Sequence, residues 1–337
     1  MKSSETTVGI VYNAYVSIPG RAAERASEES IEQAAQEAYS AVSELGYRVH
    51  LLPLHDNIIN LFYDAQRLKV DVFINLCEAF RGLPQLEANV AAFFELVGFP
   101  FTGNSCRTLA LCQDKFKTKS ILKSSGLPVP NGQLIHSSEQ LLKLPLPVIV
   151  KPNNEDASIG VHPDSVIRNG GNPAKQIEKI IRIYNQPALV EEYIDGREFN
   201  VAILDGEKVE ALPVSEIDFS KMSENSPRIV GYEAKWYENH TLFRRTPPIC
   251  PAQIDETMRE KLQQTALSAF AAVGGRDYAR VDFRMNGGGE IFILEVNPNP
   301  DTSLSAGYPR ALSAAGIEYR DFWQRMIENA LRRKTRQ

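Results

Sequence analysis

Two short apolar segments in the last third of the chain carry oxygen-bearing side chains at strand spacing. The first covers residues 278–283 and the second residues 291–297, with a glycine-rich stretch, residues 286–289, between them. Alternating apolar and polar residues on both sides of such a turn predict a β-hairpin. We therefore expect the polar side chains of the two segments to meet at one end of this hairpin.

Four of these side chains could perform chemistry together. Residues two apart on a strand project to the same face, so Arg280 lies beside Asp282, and Glu295 lies beside Asn297. Two carboxylates and an amide oxygen are hard ligands of the kind that Mg²⁺ takes, and Mg²⁺ usually shares them with substrate phosphates. The hairpin therefore predicts a site for Mg²⁺, or for Mn²⁺ in its place, together with a nucleotide. An exposed hairpin with ordinary surface charges is the alternative for these residues taken alone.

Length and charge limit the classes of protein to consider. A chain of 337 residues is too long for one compact core and predicts two or three lobes with a cleft between them. Hydrophobic residues make up 43% and charged residues 23%, as in ordinary globular proteins. The net charge of −5 offers no basic field, so neither nucleic acid nor an anionic membrane is expected as a partner. The basic run 332–336 is expected to be a solvated tail.

The expected compartment is the cytoplasm. No apolar run approaches the ~20 residues that a membrane span needs, and the N-terminus lacks the apolar core of a secretory signal. The cysteines show no C-x-x-C spacing, which favours core thiols in a reducing compartment. They are Cys77, Cys106, Cys112 and Cys250.

The first third of the chain alternates strand and helix patterns. The expected elements are strand 7–12, helix 24–45, strand 47–52, helix 58–68, strand 71–76, helix 86–97 and an extended segment at 99–101. Such alternation predicts a parallel sheet with helices on its faces. We therefore expect an α/β, substrate-binding lobe over residues 1–113.

From residue 114 the pattern changes to that of an α+β module. The expected elements are helix 115–125, strands 133–135, 147–151, 189–193 and 199–204, a polar stretch at 218–231, helix 255–273, the hairpin, and helices 309–315 and 321–332. Their order predicts an antiparallel sheet in a central lobe, residues 114–205. The hairpin then belongs to a C-terminal lobe, residues 206–337.

Nucleotide-binding residues are suggested by a lysine and the loop that follows it. Lys151 ends a hydrophobic strand and precedes a polar loop of small residues, 153–160. Backbone N–H groups of such a loop can approach phosphates, while the lysine supplies a point charge. The loop is neither a P-loop nor a Rossmann glycine motif. A second lysine, Lys115, opens a helix.

A third candidate segment, residues 189–198, places several carboxylates beside an apolar strand. Its backbone near residues 192–194 could hydrogen-bond an adenine edge, and Glu198 could accept hydrogen bonds from ribose hydroxyls. A half-buried strand with solvated glutamates explains this segment equally well on its own.

Several strings occur together in one order along the chain. They are Phe101-Thr-Gly, Leu109-Ala-Leu-Cys-Gln-Asp114-Lys115-Phe-Lys-Thr-Lys, Gly126-Leu-Pro-Val-Pro, Val148-Ile-Val-Lys151-Pro, Glu191-Glu-Tyr-Ile-Asp-Gly-Arg-Glu198-Phe, Tyr232-Glu-Ala-Lys235 and the hairpin. With them the sequence resembles the ATP-grasp superfamily, and within it the D-alanine–D-alanine ligases, over nearly the whole chain. The resemblance implies a three-lobe ATP-grasp fold, with ATP between the central and C-terminal lobes, and a homodimer.

The resemblance also implies roles for single residues. The nucleotide would contact Lys115, Lys151, Glu191, Glu192, Tyr193, Ile194, Glu198 and Lys235. Of these, Lys115 and Lys151 would contact phosphates and adenine, and Lys235 would reach a phosphate. The base would meet Glu191, Tyr193 and Ile194, and the ribose would meet Glu198. Ser158 would lie on a lid over the triphosphate.

The implied chemistry is carboxylate activation. A substrate carboxylate attacks the γ-phosphate, and an amine then displaces phosphate from the acylphosphate to form a dipeptide or a related amide. Such transfer depends mainly on positioning and charge neutralisation. Asp282, Glu295 and Asn297 would hold two Mg²⁺ ions, and Arg280 would stabilise the oxyanion formed on amine attack.

Three departures from the family pattern fall where the amino acids should bind. A histidine-glycine pair is replaced by Asn75-Leu-Cys77-Glu78-Ala79, the last tyrosine of Tyr-Glu-Ala-Lys-Tyr by Trp236, and the glycine of Asn-x-x-Pro-Gly by Asp301. An indole offers one N–H donor where a tyrosine hydroxyl both donates and accepts. We therefore expect a conserved reaction on altered amino-acid-like substrates.

The altered residues favour a substrate that carries an amino group. Glu78 and Asp301, the latter near Ser303, supply carboxylates at this end. In the loop 13–30, Glu28 is one candidate to grip an amino group, although glutamates there also suit a helix N-terminus. The alternatives are a true D-alanine–D-alanine ligase, an ATP-binding regulator without turnover, and a metal-dependent hydrolase, which would leave the three lysines unexplained.

Overall fold

The computed structural model describes residues 5–14, 25–168 and 170–334. Its first sheet is parallel, as predicted, with the strand order β2-β1-β3. The strands are β1 (Thr7–Asn13), β2 (Arg48–Leu54) and β3 (Val72–Asn75). The helices of this part are α1 (Arg25–Glu44), α2 (Ile58–Leu68), α3 (Glu87–Val97) and α4 (Cys106–Gln113). All seven residues of β1 are buried, because the middle strand of a covered parallel sheet faces apolar groups on both sides.

The second sheet is antiparallel and has the strand order β4-β7-β5-β6. Its strands are β4 (Gly132–Ile135), β5 (Val148–Pro152), β6 (Val166–Ile167) and β7 (Ala188–Glu192). Helix α5 (Lys115–Ser124) precedes it, and α6 (Ala174–Tyr184) lies between β6 and β7. Helix α6 was not predicted, although its isoleucines recur at helical spacing and two of them, Ile177 and Ile180, are buried.

The third sheet has the strand order β11-β10-β8-β12-β13, with β9 paired to β8. Its strands are β8 (Gly196–Leu204), β9 (Glu210–Ala211), β10 (Ser215–Ile217), β11 (Pro248–Ile249), β12 (Tyr278–Asn286) and β13 (Ile291–Asn297). The helices are α7 (Tyr232–Trp236), α8 (Thr241–Arg245), α9 (Glu256–Ala272), α10 (Gly307–Ala314) and α11 (Tyr319–Lys334). The predicted hairpin is present as β12 and β13.

One strand was assigned to the wrong sheet. The sequence grouped the strand at 199–204 with the strand at 189–193, but β8 pairs with β12 over nine residues of the third sheet. The physical reason is that β7 already has β4 on one edge and β5 on the other, so neither edge can accept β8. The lobe bounds at residues 113 and 205 stay a prediction.

The base of the hairpin is fixed to the N-terminal part of the chain. Arg333 of α11 pairs through both terminal nitrogens with the buried Asp277, at 2.6 and 2.8 Å, and Asp277 also accepts from the Gly103 N–H. The Asn104 side chain donates to the backbone oxygens of Tyr278 and Pro298. These contacts hold β12 and the turn after β13 in fixed positions.

The four cysteines are free thiols, and Cys77 and Cys112 are buried. No helix within the described residues is both long enough and apolar enough to cross a membrane.

Candidate active site

One cavity of about 1030 Å³ lies over the third sheet. This volume is at the upper end for small-molecule sites, so the cavity can hold a nucleotide and further groups. Of the predicted site residues, those lining the cavity are Lys115, Lys151, Ser158, Glu191, Glu192, Tyr193, Ile194, Glu198, Lys235, Trp236, Arg280, Asp282, Glu295, Asn297, Asp301 and Ser303. Glu78 does not line it, and the Glu28 side chain lies outside the described part of the chain.

The strand register brings the proposed metal ligands together. Asp282 of β12 is directly opposite Glu295 of β13, and Arg280 is opposite Asn297. The register shifts by one residue just after Asp282, so Leu294 has no partner there. Such a bulge changes the direction of nearby side chains, and Leu294 and Glu295 both line the cavity although they are neighbours on a strand.

Arg280 holds Asp282 through two parallel hydrogen bonds. Its Nε and Nη2 donate to the two carboxylate oxygens at 2.7 and 2.8 Å. Burial raises the pKa of Asp282, and Arg280 opposes that rise. Burial would also raise the pKa of Glu295, but the nearby cations, Lys115 and Lys151 foremost, lower it to about 2. Glu295 is therefore an anion at neutral pH.

The donor set suits an ion that takes its other ligands from phosphate or water. Within the described residues no three His, Cys, Asp or Glu side chains gather as a self-sufficient metal site. Asp282, Glu295 and Asn297 instead offer two carboxylates and one amide, and Asn299 N–H donates to the Asn297 amide oxygen at 3.1 Å and so orients it. Hard oxygens in an incomplete set are what Mg²⁺ uses when it binds with a nucleotide.

Lys115 connects the hairpin to the loop 153–160. Its ammonium group lies 2.8 Å from the Asp156 carboxylate, 2.5 Å from the Glu155 backbone oxygen and 3.5 Å from Glu295 Oε2. The lysine is buried, and these carboxylates raise its pKa against the effect of burial. Lys115 is thus a fixed cation where phosphates would lie.

Glu191 is an ion-pair partner of two lysines. It is 1% exposed, its Oε2 lies 2.8 Å from the Lys151 ammonium group, and its Oε1 contacts Lys119. Burial opposes ionisation, but the two cations lower the pKa of Glu191. The carboxylate therefore holds Lys151 in position, and both of its oxygens meet lysines.

Lys119 is a buried partner of Glu191 that was not predicted from the sequence. It is buried on α5, and burial lowers its pKa to about 8. The available signal was its spacing, since it lies four residues after Lys115 and so on the same side of the helix.

The residues after Glu191 are anchored in different directions. Glu192 accepts from the backbone and side-chain N–H groups of Asn131, at 3.0 and 2.9 Å. The Tyr193 hydroxyl accepts from the Arg228 N–H at 2.9 Å. Ile194 lines the cavity. The polar side chains of Glu192 and Tyr193 thus already have protein partners.

Glu198 faces a second residue that the sequence analysis missed. Arg284, two residues after Asp282 on β12, is buried and lies 2.9 Å from the Glu198 carboxylate. It also donates to the backbone oxygens of Gly196 and Arg228. Burial raises the pKa of Glu198. The ion pair holds Glu198, the predicted ribose acceptor, in position. Arg284 could have been identified from the sequence, because it lies on the same face of β12 as Arg280 and Asp282.

The loop 153–160 is docked onto the segment 228–236. The Ser158 hydroxyl donates to the Val230 backbone oxygen at 2.9 Å, and Trp236 Nε1 donates to the Ala157 backbone oxygen at 2.9 Å. Ala157 and Ser158 both have left-handed backbone angles, φ of 56° and 61°. Residues other than glycine adopt these backbone angles only where surrounding contacts hold them. The loop is therefore held closed over the cavity by hydrogen bonds.

Lys235 and Asp301 line the cavity, and both interact electrostatically with Glu78, which does not line it. Burial, followed by Arg280, lowers the pKa of Lys235, whose ammonium group lies 5.0 Å from the Trp236 ring centre. Burial and then Asp301 raise the pKa of Glu78 to about 8. Asp301 itself accepts from the Ser303 N–H at 2.8 Å.

A third missed residue, Glu87, interacts electrostatically with Glu78. It is buried and accepts from the Asn299 side chain at 2.9 Å, and burial holds its pKa well above the usual range. The burial of Glu87 could not be predicted from the sequence, because a glutamate at the first position of a helix usually faces solvent.

Comparisons with known proteins agree with this geometry. A family model described as the D-ala D-ala ligase C-terminus matches residues 121–328. An uncharacterised protein of Sinorhizobium fredii, y4sG, is 34% identical over 260 residues, which are 77% of this chain and 74% of that protein. D-alanine–D-alanine ligase B of Chromobacterium violaceum is 31% identical over 238 residues, 69% of this chain and 73% of its own length.

Solved structures show the same fold. The D-alanine–D-alanine ligase of Bacillus anthracis complexed with ATP superposes with a TM-score of 0.77 at 21% identity, covering 98% of this chain and 99% of that one. The ligase of Coxiella burnetii gives a TM-score of 0.74 at 16% identity, covering 99% and 96%. The predicted ATP-grasp fold is therefore confirmed, and the chain belongs to the D-alanine–D-alanine ligase family of ATP-dependent ligases, which form an amide from a carboxylate and an amine.

Proposed function

We propose that this ligase joins two amino-acid-like substrates other than a pair of D-alanines into a dipeptide or a related amide, through an acylphosphate and with release of ADP and phosphate. The observation that carries the proposal is the interaction of two carboxylates, Asp301 on the cavity wall and the buried Glu78 near it, which together form the acidic end of the site. Each departs from the family pattern, whereas the nucleotide end keeps its full set of charges.

The roles of the nucleotide residues follow from their charges. Lys115, Lys151 and Lys235 would neutralise the transferring phosphoryl group, since such transfer depends on positioning and charge. Asp282, Glu295 and Asn297 would hold Mg²⁺, or Mn²⁺ in its place, which supplies charge neutralisation and orientation of the phosphates when bound. The 153–160 loop would exclude water from the acylphosphate.

Arg280 would act at the oxyanion with the part of its guanidinium that Asp282 leaves unused. Its pair with Asp282 engages Nε and Nη2, so Nη1 is the nitrogen that would donate to the charge developing on amine attack. The bidentate pair would keep the guanidinium plane fixed before the reaction, which is the arrangement that electrostatic stabilisation requires.

The acidic end would receive the amino group of the carboxylate substrate. The high pKa of Glu78 reflects burial near Asp301, and an incoming ammonium group would relieve that repulsion and favour the ionised form. Lys235 lies in the same field and would face the carboxylate that is to be activated. A substrate with an amino group near its reacting carboxylate fits this order of charges.

A true D-alanine–D-alanine ligase is the second candidate, and the names of the relatives from Chromobacterium violaceum and other bacteria favour it. An ATP-binding regulator is less well supported, because simple binding does not need Arg280 and the metal ligands together. The free thiols support action in the cytoplasm. Exposed apolar side chains on α2, Ile59 and Tyr63, are consistent with a homodimer.

The test is phosphate release with Mg-ATP across single and paired D- and L-amino acids, with mass spectrometry of the products. We expect an amide that is not D-alanyl-D-alanine. D-alanyl-D-alanine as the main product would refute the altered specificity, and phosphate release that no amine stimulates would refute ligation. Glu78→His is the matched variant, because it restores the family residue and should move the preference toward D-alanine.

A further inference from the structure

The polar face of the third sheet continues past the metal ligands. In the strand register, Glu295 is opposite Asp282, Asp282 is opposite Asn200 of β8, and Asn200 is opposite Ser215 of β10. Paired residues share a face, so this row extends from β13 to β10. Asn200 lines the cavity. Its buried amide oxygen, like the buried Ser215 hydroxyl, has no hydrogen-bond partner among the described residues.

The first turn of α10 lies above this row. Arg310 lines the cavity and is half-buried, and its Nη2 donates to the Ser305 backbone oxygen at 2.9 Å. No carboxylate within the described ranges forms an ion pair with it. Burial accordingly lowers the pKa of Arg310. A half-buried guanidinium that lacks a counter-ion is a ready partner for an anion from outside the chain.

Gly307 separates these two polar groups. A Cβ atom at Gly307 would lie 3.8 Å from Arg310 Nη1 and 4.0 Å from the Asn200 amide oxygen. The glycine does not have a left-handed φ, so its backbone would accept a side chain. Because Gly307 has no side chain, space remains between the Asn200 amide oxygen and the Arg310 guanidinium, and a bound group could contact both.

We propose that Asn200, Gly307 and Arg310 form a specificity subsite for the amine substrate, in which Arg310 pairs with a carboxylate of that substrate. The Asn200 oxygen accepts a hydrogen bond from a donor on the same molecule, and Gly307 leaves room for it. The assignment rests on the proposed ligase function.

The charges assign the subsite to the amine substrate. An amine must lose its extra proton before it can act as a nucleophile. Nearby carboxylates raise the pKa of an ammonium group and so oppose this loss, whereas nearby cations lower the pKa and favour it. Glu78 and Asp301 therefore suit an amino group that does not react. Arg310 and Arg280 suit the one that does. A substrate with a carboxylate close to its amine, as in any amino acid, meets both requirements.

Two carboxylates are chemically suitable, the α-carboxylate and one on a side chain. They are distinguished by assaying Arg310→Met with a neutral amino acid, an acidic amino acid and an amino-acid amide as amine substrates. Equal losses for both amino acids, with none for the amide, identify the α-carboxylate. A loss confined to the acidic amino acid identifies the side chain. Either pattern supports the subsite.

The loss of a hydrogen-bonded charge pair raises KM for the amine substrate ~10- to 100-fold, with KM for ATP unchanged. Arg310→Lys keeps the positive charge but not the bidentate geometry of the guanidinium, so its KM for the amine substrate should lie between those of wild type and Arg310→Met. Arg320→Met, at an exposed position on α11, is the control for charge removal. A rise in KM for ATP, or an equal KM for amine in Arg310→Met and wild type, would overturn the proposal.

The space at Gly307 is tested with a graded series. Gly307→Ala and Gly307→Leu should lower kcat/KM progressively for larger amine substrates and less for small ones. Gly287→Ala, at an exposed glycine of the hairpin turn with no atom near its Cβ position, is the control. Equal effects on all amines would mean that the space is not used by the substrate.

The absence of ligase activity can be distinguished from the absence of the subsite. If the wild-type protein forms no amide with any pair, calorimetric titration of amino acids into the Mg-ATP-loaded protein replaces the kinetic assay. A weaker Kd in Arg310→Met than in Arg320→Met then still supports the subsite, and equal Kd values reject it.

Discussion

A glutamine in place of Glu191 would leave two cations facing a neutral side chain. In the wild-type protein one carboxylate oxygen of Glu191 contacts Lys119, and the other lies 2.8 Å from Lys151. The side chains of Glu191, Lys119 and Lys151 are 1%, 7% and 12% exposed, so solvent screens this group weakly. The substitution is nearly isosteric, and its effect is therefore electrostatic.

The magnitude follows from the burial. Removal of one partner from a buried ion pair costs ~3–5 kcal/mol, because the remaining charge is left without compensation. We expect Glu191→Gln to lower the free energy of unfolding by about this amount at pH 7.

The loss should depend on pH with a defined sign. The folded-state pKa of Lys119 is lowered from 10.5 to about 8, so between these values the unfolded chain binds more protons and stability rises with pH. Without Glu191 the folded-state pKa falls further, and the rise in stability begins at a lower pH. The deficit of the variant is therefore largest below the lowered pKa of its Lys119 and narrows as the pH rises from there toward 8.

The assay is urea denaturation of the nucleotide-free proteins, followed by fluorescence of the two tryptophans. Glu192→Gln is the matched control, because Glu192 is the next residue, is more exposed and, among the described residues, accepts from Asn131 alone. We expect it to cost less than ~1 kcal/mol. Equal losses for the two variants, or a deficit that does not change with pH, would refute the argument for a shared buried carboxylate.

Three further outcomes are expected. Glu295→Ala should abolish ADP release with the far-ultraviolet circular dichroism spectrum unchanged, and ADP release at the wild-type rate would contradict a metal role. Trp236→Tyr should change kcat/KM among amino acids more than KM for ATP in the phosphate-release assay, and a dominant effect on ATP would contradict the division of the cavity. Chelation of divalent cations should stop turnover, with recovery on addition of Mg²⁺ or Mn²⁺, whereas persistent turnover in excess chelator would exclude a metal-assisted reaction.

Local patterns in the sequence carried much of the fold and of the site. The parallel sheet and the hairpin were predicted because alternation and turn residues are local signals. The three lysines at 115, 151 and 235 line the same cavity as the hairpin, as expected, and each lies within the first or last two residues of its element. What they do there is still to be tested.

The rest required knowledge of which elements are neighbours. The sheet to which β8 belongs depends on which strand edges are already occupied, and no residue of β8 encodes that. Lys119 and Arg284 are charged residues of ordinary appearance until Glu191 and Glu198 are brought beside them. The space at Gly307 likewise exists only because Asn200 and Arg310 approach it from two different elements.

The distribution of the apolar cores determines how the cleft can open. Residues of β1 and α1 share one core with Trp323 and other residues of α11, so the first and third sheets are joined by apolar packing. Among the described residues, the core beside the second sheet consists of side chains from residues 135–190. We therefore expect the second sheet to move as one rigid body relative to the first and third sheets. Opening would separate polar contacts, such as the hydrogen bond from Trp236 to Ala157, and would not expose the interior of any core.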